Sequence, residues 1–399
     1  MRIFFYRSFQ FIMKYVSRAL PWRKPELITG VDSVLTLPFR IKEMSINKVL
    51  IVTDATVQSL GLSIPFTEEL EKEGISYIIY DRTSQNPTID NIEEAYMVYI
   101  KNECDGLVGF GGGSPLDCAK GVGAKVARPN LKVAQMKGLF KIRKKIPPLF
   151  AIPTTAGTGS EGTLAAVITD SLTHEKYPIN DLNLIPKYAV LDPMLTIGLP
   201  KHITATTGMD ALTHAIEAYI GRSNTKETIE LSENAIKLIF NNIQTAYNHG
   251  DNIKARENML LASHYAGLSF TRAYVGYVHS IAHTLGGFYN IPHGLANAVI
   301  LPYVLDYYGD SVYDKLCELL RLIGMFNENE TKEVNAKKFI SIVKDLNTEL
   351  GIPSRIKGIM DKDIELMAQR AISEANPLYP VPKILDLKDI TILINRIKE

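Results

Sequence analysis

The sequence predicts an α/β domain with a buried parallel sheet over residues 25 to 200, then an all-α domain over residues 201 to 399. A short extension, residues 1 to 24, precedes both. Three observations carry this. Short apolar, β-branched runs alternate with helix-length segments before Pro200. After Pro200 the apolar positions recur with helical period and no strand-like alternation interrupts them. At 399 residues the chain exceeds what one hydrophobic core usually serves, and 46% hydrophobic residues are enough to fill two.

In chain order, residues 2 to 20 read as an amphipathic basic helix. Phe5, Phe9, Ile12 and Val16 fall on one stripe, with Arg7, Lys14 and Arg18 on the opposite face. The first expectation is that the Phe-rich stripe docks on the protein's own surface or on a second subunit. The alternative is contact with a membrane surface. Charges interrupt the apolar segment and no small-residue cleavage site follows, which argues against a signal peptide. Pro21 to Pro25 ends the helix. Strands are then expected at 49 to 53, 77 to 80, 106 to 110, 149 to 152 and 188 to 191, each a compact apolar run of the kind buried on both faces. Helices are expected at 225 to 248, 253 to 270, 312 to 322, 334 to 350 and 362 to 374.

Lys and Arg number 44 against 43 Asp and Glu, so no global field draws the chain to nucleic acid, and small molecules are the expected partners. Cys104, Cys118 and Cys317 are isolated thiols without Cys-x-x-Cys spacing. That excludes a disulfide framework and a thiolate metal site, and fits a reducing cytoplasm. No apolar run reaches the roughly 18 residues that a membrane-spanning helix needs.

Parallel sheets bind ligands at the carboxyl ends of their strands, so the residues after each run matter most. The run at 106 to 110 is followed by Gly111-Gly112-Gly113-Ser114-Pro115-Leu116-Asp117. Strand, glycine turn and helix start make a seat for phosphate, with Ser114 as N-cap and Pro115 at the first helical position. The next strand leads into Pro153-Thr154-Thr155-Ala156-Gly157-Thr158-Gly159-Ser160-Glu161, whose hydroxyls and exposed amides suit phosphate and ribose. Two such loops favour a dinucleotide and a Rossmann-like domain. Asp54, at the end of the first predicted strand, is placed to accept from a ribose diol, and its charge favours NAD over NADP.

A second cluster lies in the helical half. Gly208-Met-Asp210-Ala-Leu-Thr-His214 and His279-Ser-Ile-Ala-His283, continuing to His293, hold one carboxylate and four of the chain's eight histidines. Asp210 with His214, and His279 with His283, are each spaced i, i+4, so each pair shares one helix face. A carboxylate with imidazoles suits iron, zinc or a similar cation better than magnesium or calcium. Spacing alone leaves open which of the four histidines touch the ion. Phe270, Tyr274, Tyr277 and Phe288 are candidates for an apolar pocket, with core packing the more ordinary role.

Together the glycine loop, the threonine loop, Gly208 to Glu217 and His279 to Asn297 resemble the iron-containing (group III) alcohol dehydrogenase family, in the right order and over residues 25 to 399. Lactaldehyde reductase and butanol dehydrogenase are the types it looks most like. The resemblance implies an N-terminal dinucleotide-binding domain and a C-terminal helical metal-binding domain. It implies a metal shell of Asp210, His214, His279 and His293, with His283 near the nicotinamide rather than on the ion. Cofactor contacts carry over to Asp54, Asn86, Gly112, Gly113, Ser114, Asp117, Thr154, Thr155 and Thr158, and also to Val167 and Lys176. Nothing carries over to residues 1 to 24.

The expected chemistry is interconversion of a primary alcohol or diol and its aldehyde by hydride transfer with NAD, the substrate oxygen on a divalent metal and His283 relaying the proton. Iron is the first expectation and zinc the second, in a homodimer. The alternatives are an NAD-using, dehydroquinate synthase-like lyase on the same scaffold, which would produce no net NADH, and a membrane-surface binding protein.

Overall fold

The computed structural model describes residues 2–173 and 175–399; Met1 of the expected extension lies outside them. The chain divides into two units. One holds residues 22–199 and 251–264, the other residues 2–21, 200–250 and 265–399.

The chain begins with helix α1 (Arg2–Ala19). The α/β unit then runs β1 (Glu26–Thr29), α2 (Leu37–Glu43), β2 (Lys48–Val52), α3 (Ala55–Ser59), α4 (Ile64–Lys72), β3 (Ser76–Tyr80), α5 (Ile89–Lys101), β4 (Gly106–Gly111) and α6 (Gly113–Ala127). It continues through β5 (Gly138–Leu139), β6 (Leu149–Pro153), β7 (Ala165–Thr169), β8 (Lys176–Asn180) and β9 (Tyr188–Leu191). Six strands form one sheet in the order β1-β9-β6-β4-β2-β3, every neighbouring pair parallel. The five expected strands are all in this sheet. The expectation missed β1, whose four residues are mostly exposed and carry little apolar signal. It also missed the small β5-β8-β7 sheet, whose strands are only half-buried.

Alternation along β2 and β4 explains why the sheet is covered on both faces. Leu50, Val52 and Leu107 pack into one core with Ile92, Cys118, Ala119 and Val122. Val49, Ile51, Val108 and Phe110 pack into another with Leu37, Ile41, Phe66 and Phe150. Successive side chains of a strand point to opposite faces, so a strand buried on both must be apolar throughout, and all six residues of β4 are buried. Each large side chain so buried contributes about 1.5–3 kcal/mol. The strand order reverses between β2 and β4, and ligands of open parallel sheets lie at such a switch point, beyond the strand carboxyl ends. Asp54 follows β2 and the glycine turn follows β4.

The N-cap of α6 is Gly112, not Ser114, and Pro115 is the third helical residue rather than the first. Only the first turn of a helix lacks internal partners for its N–H groups, so Pro115 still falls where its missing N–H goes unneeded.

After β9 the described chain has no further strand. Helices α7 (Lys201–Ile220), α8 (Lys226–Asn248), α9 (Ile253–Ala273), α10 (Tyr277–Tyr289), α11 (His293–Tyr308), α12 (Asp310–Leu322), α13 (Lys332–Glu349), α14 (Asp361–Ala375) and α15 (Leu387–Ile397) follow. The five expected helices match α8, α9, α12, α13 and α14 within three residues at each end. Residues 251–264 join the α/β unit through particular bonds. The Gly159 N–H donates to Ser263 Oγ at 3.1 Å, His264 Nδ1 lies 3.2 Å from Glu161 Oε1, and Arg256 donates to the Leu199 carbonyl at 3.4 Å.

Helix α1 belongs to the helical unit and docks in the reverse of the expected sense. Arg7 donates to the carbonyls of Val381 at 2.7 Å and Pro382 at 2.8 Å, Gln10 to that of Tyr379 at 2.7 Å, and Lys14 to that of Arg222 at 3.0 Å. Gln10 is the one buried residue of the helix, while Phe5, Ile12 and Val16 of the apolar stripe face outward. The cause is that the irregular 379–382 segment and the residues after α7 present carbonyls that need donors, and the polar face supplies them. The expectation that the Phe-rich stripe docks on the protein's own surface is therefore corrected.

One buried cation fixes the α/β unit beside its loops. Lys120 of α6 donates to the carbonyls of Ser160 (2.6 Å), Thr163 (3.0 Å) and Ala165 (2.7 Å), and to the Ser160 and Thr163 hydroxyls (both 2.9 Å). Burial lowers its pKa to about 8 against the opposing pull of Asp117 and Glu161. Lys120→Met leaves those buried carbonyls without their donor, and urea unfolding will show a loss of about 3–5 kcal/mol at neutral pH. Because the folded pKa is depressed, the unfolded chain binds more protons between pH 8 and about 10, so the wild type gains stability over the variant as pH rises through that window.

Candidate functional site

In the α/β unit the residues expected to hold a dinucleotide gather around the ends of β2, β4 and β6. Asp54 caps α3, its Oδ1 accepting from the Thr56 and Val57 N–H groups at 2.9 Å each, which holds a carboxylate at the end of β2. Thr154 N–H donates to the Gly111 carbonyl at 2.9 Å, joining the threonine loop to the glycine turn. Gly113 packs on Thr158: a Cβ there would lie 2.6 Å from Thr158 Cγ2, so no larger residue fits while Thr158 keeps its place. A Cβ on Gly112 would lie 3.4 Å from Thr155 Oγ1. Ser114 Oγ donates to the Gln85 carbonyl, bringing the 85–88 loop to the same place.

Asp117 ties the hairpin of the small sheet to this group. Its Oδ1 accepts from Ser160 Oγ at 2.6 Å and its Oδ2 from the Val167 N–H at 3.0 Å. Desolvation raises the Asp117 carboxyl above its ordinary range, and Lys120 together with these hydrogen bonds opposes the shift. Lys176 Nζ donates to Asn86 Oδ1 at 3.1 Å. These contacts and the β7–β8 pairing join ten of the eleven expected cofactor residues into one set of linked loops, while Asp54 stands apart from them at the end of β2. The sequence reading missed Lys120 and the His264–Glu161 pair, whose buried partners lie far off in the chain.

In the helical unit, Asp210 and His214 sit one turn apart on α7, His279 on α10, and His293 opens α11. Each offers one ligand atom, and the four atoms lie within 4.8 Å of one another. Asp210 Oδ1 is 3.6 Å from His293 Nε2 and 3.9 Å from His279 Nε2. Ligands about 2.0–2.2 Å from a shared ion stand some 3–4 Å apart, so this set fits a divalent cation. Asn297 Nδ2 donates to Asp210 Oδ1 at 2.6 Å and lies 3.2 Å from His279 Nε2 and 3.1 Å from His293 Nε2. Three of the candidate ligand atoms therefore lie around one small region. Asp210, His214 and His279 are buried, and His293 is the more open of the four.

Two supporting residues escaped the sequence reading. Glu217, two turns beyond Asp210 on α7, accepts from the N–H groups of Gly276 and Val278 at 2.8 Å each and pairs with His279 Nδ1 at 2.6 Å. Burial pushes its carboxyl up to about 7 against those bonds. With Glu217 on Nδ1, the Nε2 lone pair of His279 is directed to the ligand group. Gly294 is the second: a Cβ there would collide with the Thr206 backbone, so glycine lets the start of α11 approach α7 and brings His293 to Asp210. The signals were present, as an acid inside the otherwise apolar Ala215-Ile216-Glu217-Ala218-Tyr219-Ile220 and a glycine directly after a candidate ligand.

His283 stands one turn from His279 but outside the four-ligand group. Its ring stacks on that of His293, with centroids 5.2 Å apart, and its Nδ1 lies 2.7 Å from Glu374 Oε1 of α14. Tyr379 donates to the same Glu374 oxygen at 2.8 Å. Of the aromatic candidates, Phe270 stacks on His214 at 4.2 Å. Tyr277 is fully buried, its hydroxyl donating to Asn376 Oδ1 at 3.1 Å, and so belongs to the core. Phe288 lies under the Arg370 guanidinium.

Comparison with known proteins agrees across both units. Residues 24–193 match the iron-containing alcohol dehydrogenase model, and residues 204–397 match the C-terminal model of the Fe-containing alcohol dehydrogenase family. The chain is similar to the 1,3-propanediol dehydrogenase of Citrobacter freundii, with 36% identity over 87% of this chain and 90% of that one. It is similar to the lactaldehyde reductase of Escherichia coli K12, with 36% identity over 86% and 91%. The structure resembles the sulfoacetaldehyde reductase of Bifidobacterium kashiwanohense in complex with NAD+, with a TM-score of 0.82, 26% identity, and coverage of 94% of this chain and 98% of that one.

Glu217→Gln retains the shape but replaces the carboxylate on His279 with a neutral amide, and metal affinity measured by chelator competition will fall by about 10–100-fold. Gly294→Ala will lower the metal content of the purified protein by a similar factor, measured by elemental analysis, because the start of α11 must move off α7.

Proposed function

The chain belongs to the iron-containing alcohol dehydrogenase family, and on that footing we propose that it interconverts a short primary alcohol or diol and its aldehyde using NAD. The observation that carries this reading is the Asp210, His214, His279 and His293 group, with His279 buttressed by Glu217. The similar proteins named for 1,3-propanediol, lactaldehyde and sulfoacetaldehyde support a small alcohol or aldehyde as substrate.

Asp210, His214, His279 and His293 would hold a divalent cation, iron first and zinc second, which would supply Lewis acidity, and a bound nicotinamide would supply the hydride acceptor or donor. The rest of the work falls to the chain's own groups. Glu217 keeps the His279 proton on Nδ1. Asn297 orients the Asp210 carboxylate. Glu374 holds His283 by Nδ1, leaving its Nε2 to take or return the proton of the substrate hydroxyl. In the α/β unit, the amide end of α6 at Gly112, Gly113 and Ser114 suits a pyrophosphate, and the hydroxyls of Thr154, Thr155 and Thr158 add donors beside it. Asp54 suits a ribose diol and disfavours a 2′-phosphate, hence NAD over NADP. Asn86, Asp117, Val167 and Lys176 complete the assignment through the bonds that join them to these loops.

Small molecules are the partners in this reading. A homodimer and a reducing cytoplasm belong to it, the latter supported by three buried cysteines without a disulfide.

Metal-stripped protein reconstituted with Fe2+ or Zn2+ is expected to produce or consume NADH, followed by its absorbance, with a panel of short alcohols, diols and aldehydes. His279→Ala and His293→Ala are expected to lose turnover and bound metal by on the order of 100-fold or more while still binding NAD by equilibrium titration. Full activity and metal content in either variant would sink the assignment. Turnover without net NADH would point instead to the lyase alternative.

A further inference from the structure

We propose that α1 is a surface-docking element that lies flat on an anionic lipid bilayer. The reading is independent of the dehydrogenase assignment. It rests on the way the helix is held. Arg7, Gln10 and Lys14 are spent on carbonyls of Val381, Pro382, Tyr379 and Arg222, so the polar face is turned inward and committed. Phe4, Phe5, Phe11, Ile12, Tyr15 and Val16 are left on the outside, between 45% and 77% exposed. At a helical period these six span an arc of roughly 140° on the side away from Gln10. A helix that only needed to pack on its own protein would bury this face, since exposed apolar patches are avoided unless something covers them.

Charge identifies what covers it. The first 25 residues contain six cations and no acid, while the remainder of the chain is slightly acidic. Arg2 and Arg18 stand at opposite ends of α1 and border the apolar arc on its two sides. Their guanidinium groups lie over the rings of Tyr6 at 5.5 Å and Tyr15 at 5.7 Å, Arg2 bonding the Tyr6 hydroxyl and Arg18 reaching the Asn224 carbonyl at 3.4 Å, and both side chains remain exposed at the rim. That pattern suits the boundary between acyl chains and phosphate headgroups. Pairing with α1 of a second copy fits it poorly: an antiparallel pair sets Arg2 against Arg18, a parallel pair sets each cation against itself, and the first 25 residues hold no acid to offset either. Among the described residues no helix is long and apolar enough to cross a membrane, so the contact is in the plane of the surface.

The test is co-sedimentation of the full-length protein with vesicles of mixed phosphatidylglycerol and phosphatidylcholine, and with phosphatidylcholine alone. Binding to the anionic vesicles is expected, falling with added salt, with at least about tenfold weaker binding to the neutral ones. A Phe4→Ser, Phe11→Ser, Tyr15→Ser triple variant and an Arg2→Glu, Arg18→Glu double variant are each expected to lose binding by at least about tenfold. Their NADH-linked turnover should stay at the wild-type level, which controls for folding. Absence of binding, equal binding to both vesicle types, or wild-type binding by either variant overturns the proposal. So does a wild-type oligomer that dissociates in the triple variant, because a second copy would then be what covers the helix.

Discussion

Removing a carboxylate from water costs several kcal/mol unless its lone pairs are met, and Glu217 meets that condition in a way that organises the helical unit. Its two oxygens take the N–H of Gly276, which caps α10, the N–H of Val278 in the first turn, and the Nδ1 side of His279. A helix N-terminus carries partial positive charge and unpaired donors, so a carboxylate there is stabilised by both. The same bonds set where α10 begins and how the first imidazole of that helix is turned. A single residue of α7 thus links the capping of one helix to the protonation state of a candidate ligand, which is why we expect Gln at this position to be felt in metal affinity rather than only in stability.

Lys120 plays the corresponding part in the α/β unit with the opposite charge. Its ammonium gathers the carbonyls of Ser160, Thr163 and Ala165, so the threonine loop is held against α6, the helix that opens at the glycine turn. Asp117, one turn earlier on α6, reaches the Ser160 hydroxyl and the Val167 N–H. The two residues hold the loop by its carbonyls and by the Ser160 and Thr163 hydroxyls, and the Ser160 N–H in turn donates to Thr158 Oγ1 at 3.3 Å. Loops of this kind are usually mobile; here buried ionic groups over-determine one.

Much of this was legible in the sequence. Doubly buried strands must be apolar throughout, so β2, β4, β6 and β9 announced themselves, whereas β1 and the β5-β8-β7 sheet are half-exposed and did not. The metal-ligand candidates stood out because Asp and His at i, i+4 have few other reasons to recur. Glu217 was harder, since it supports the group through a helix nearly 60 residues away. The docking sense of α1 was not legible at all: amphipathicity divides a helix into two faces, but the partner decides which is buried, and here the partner was a row of carbonyls in the 379–382 segment.

The two i, i+4 pairs that spacing made equal are separated by what packs against each helix. On α7 both Asp210 and His214 reach the candidate ligand group. On α10 only His279 does. One turn further along, His283 meets Glu374 of α14 instead, while α11, admitted to α7 by Gly294, supplies His293. The fourth position is thereby filled from a different helix, and His283 is left with a carboxylate on Nδ1 and the His293 ring beside it. An imidazole so placed is adjacent to the ligand group without belonging to it, which is the placement the proposed proton relay calls for.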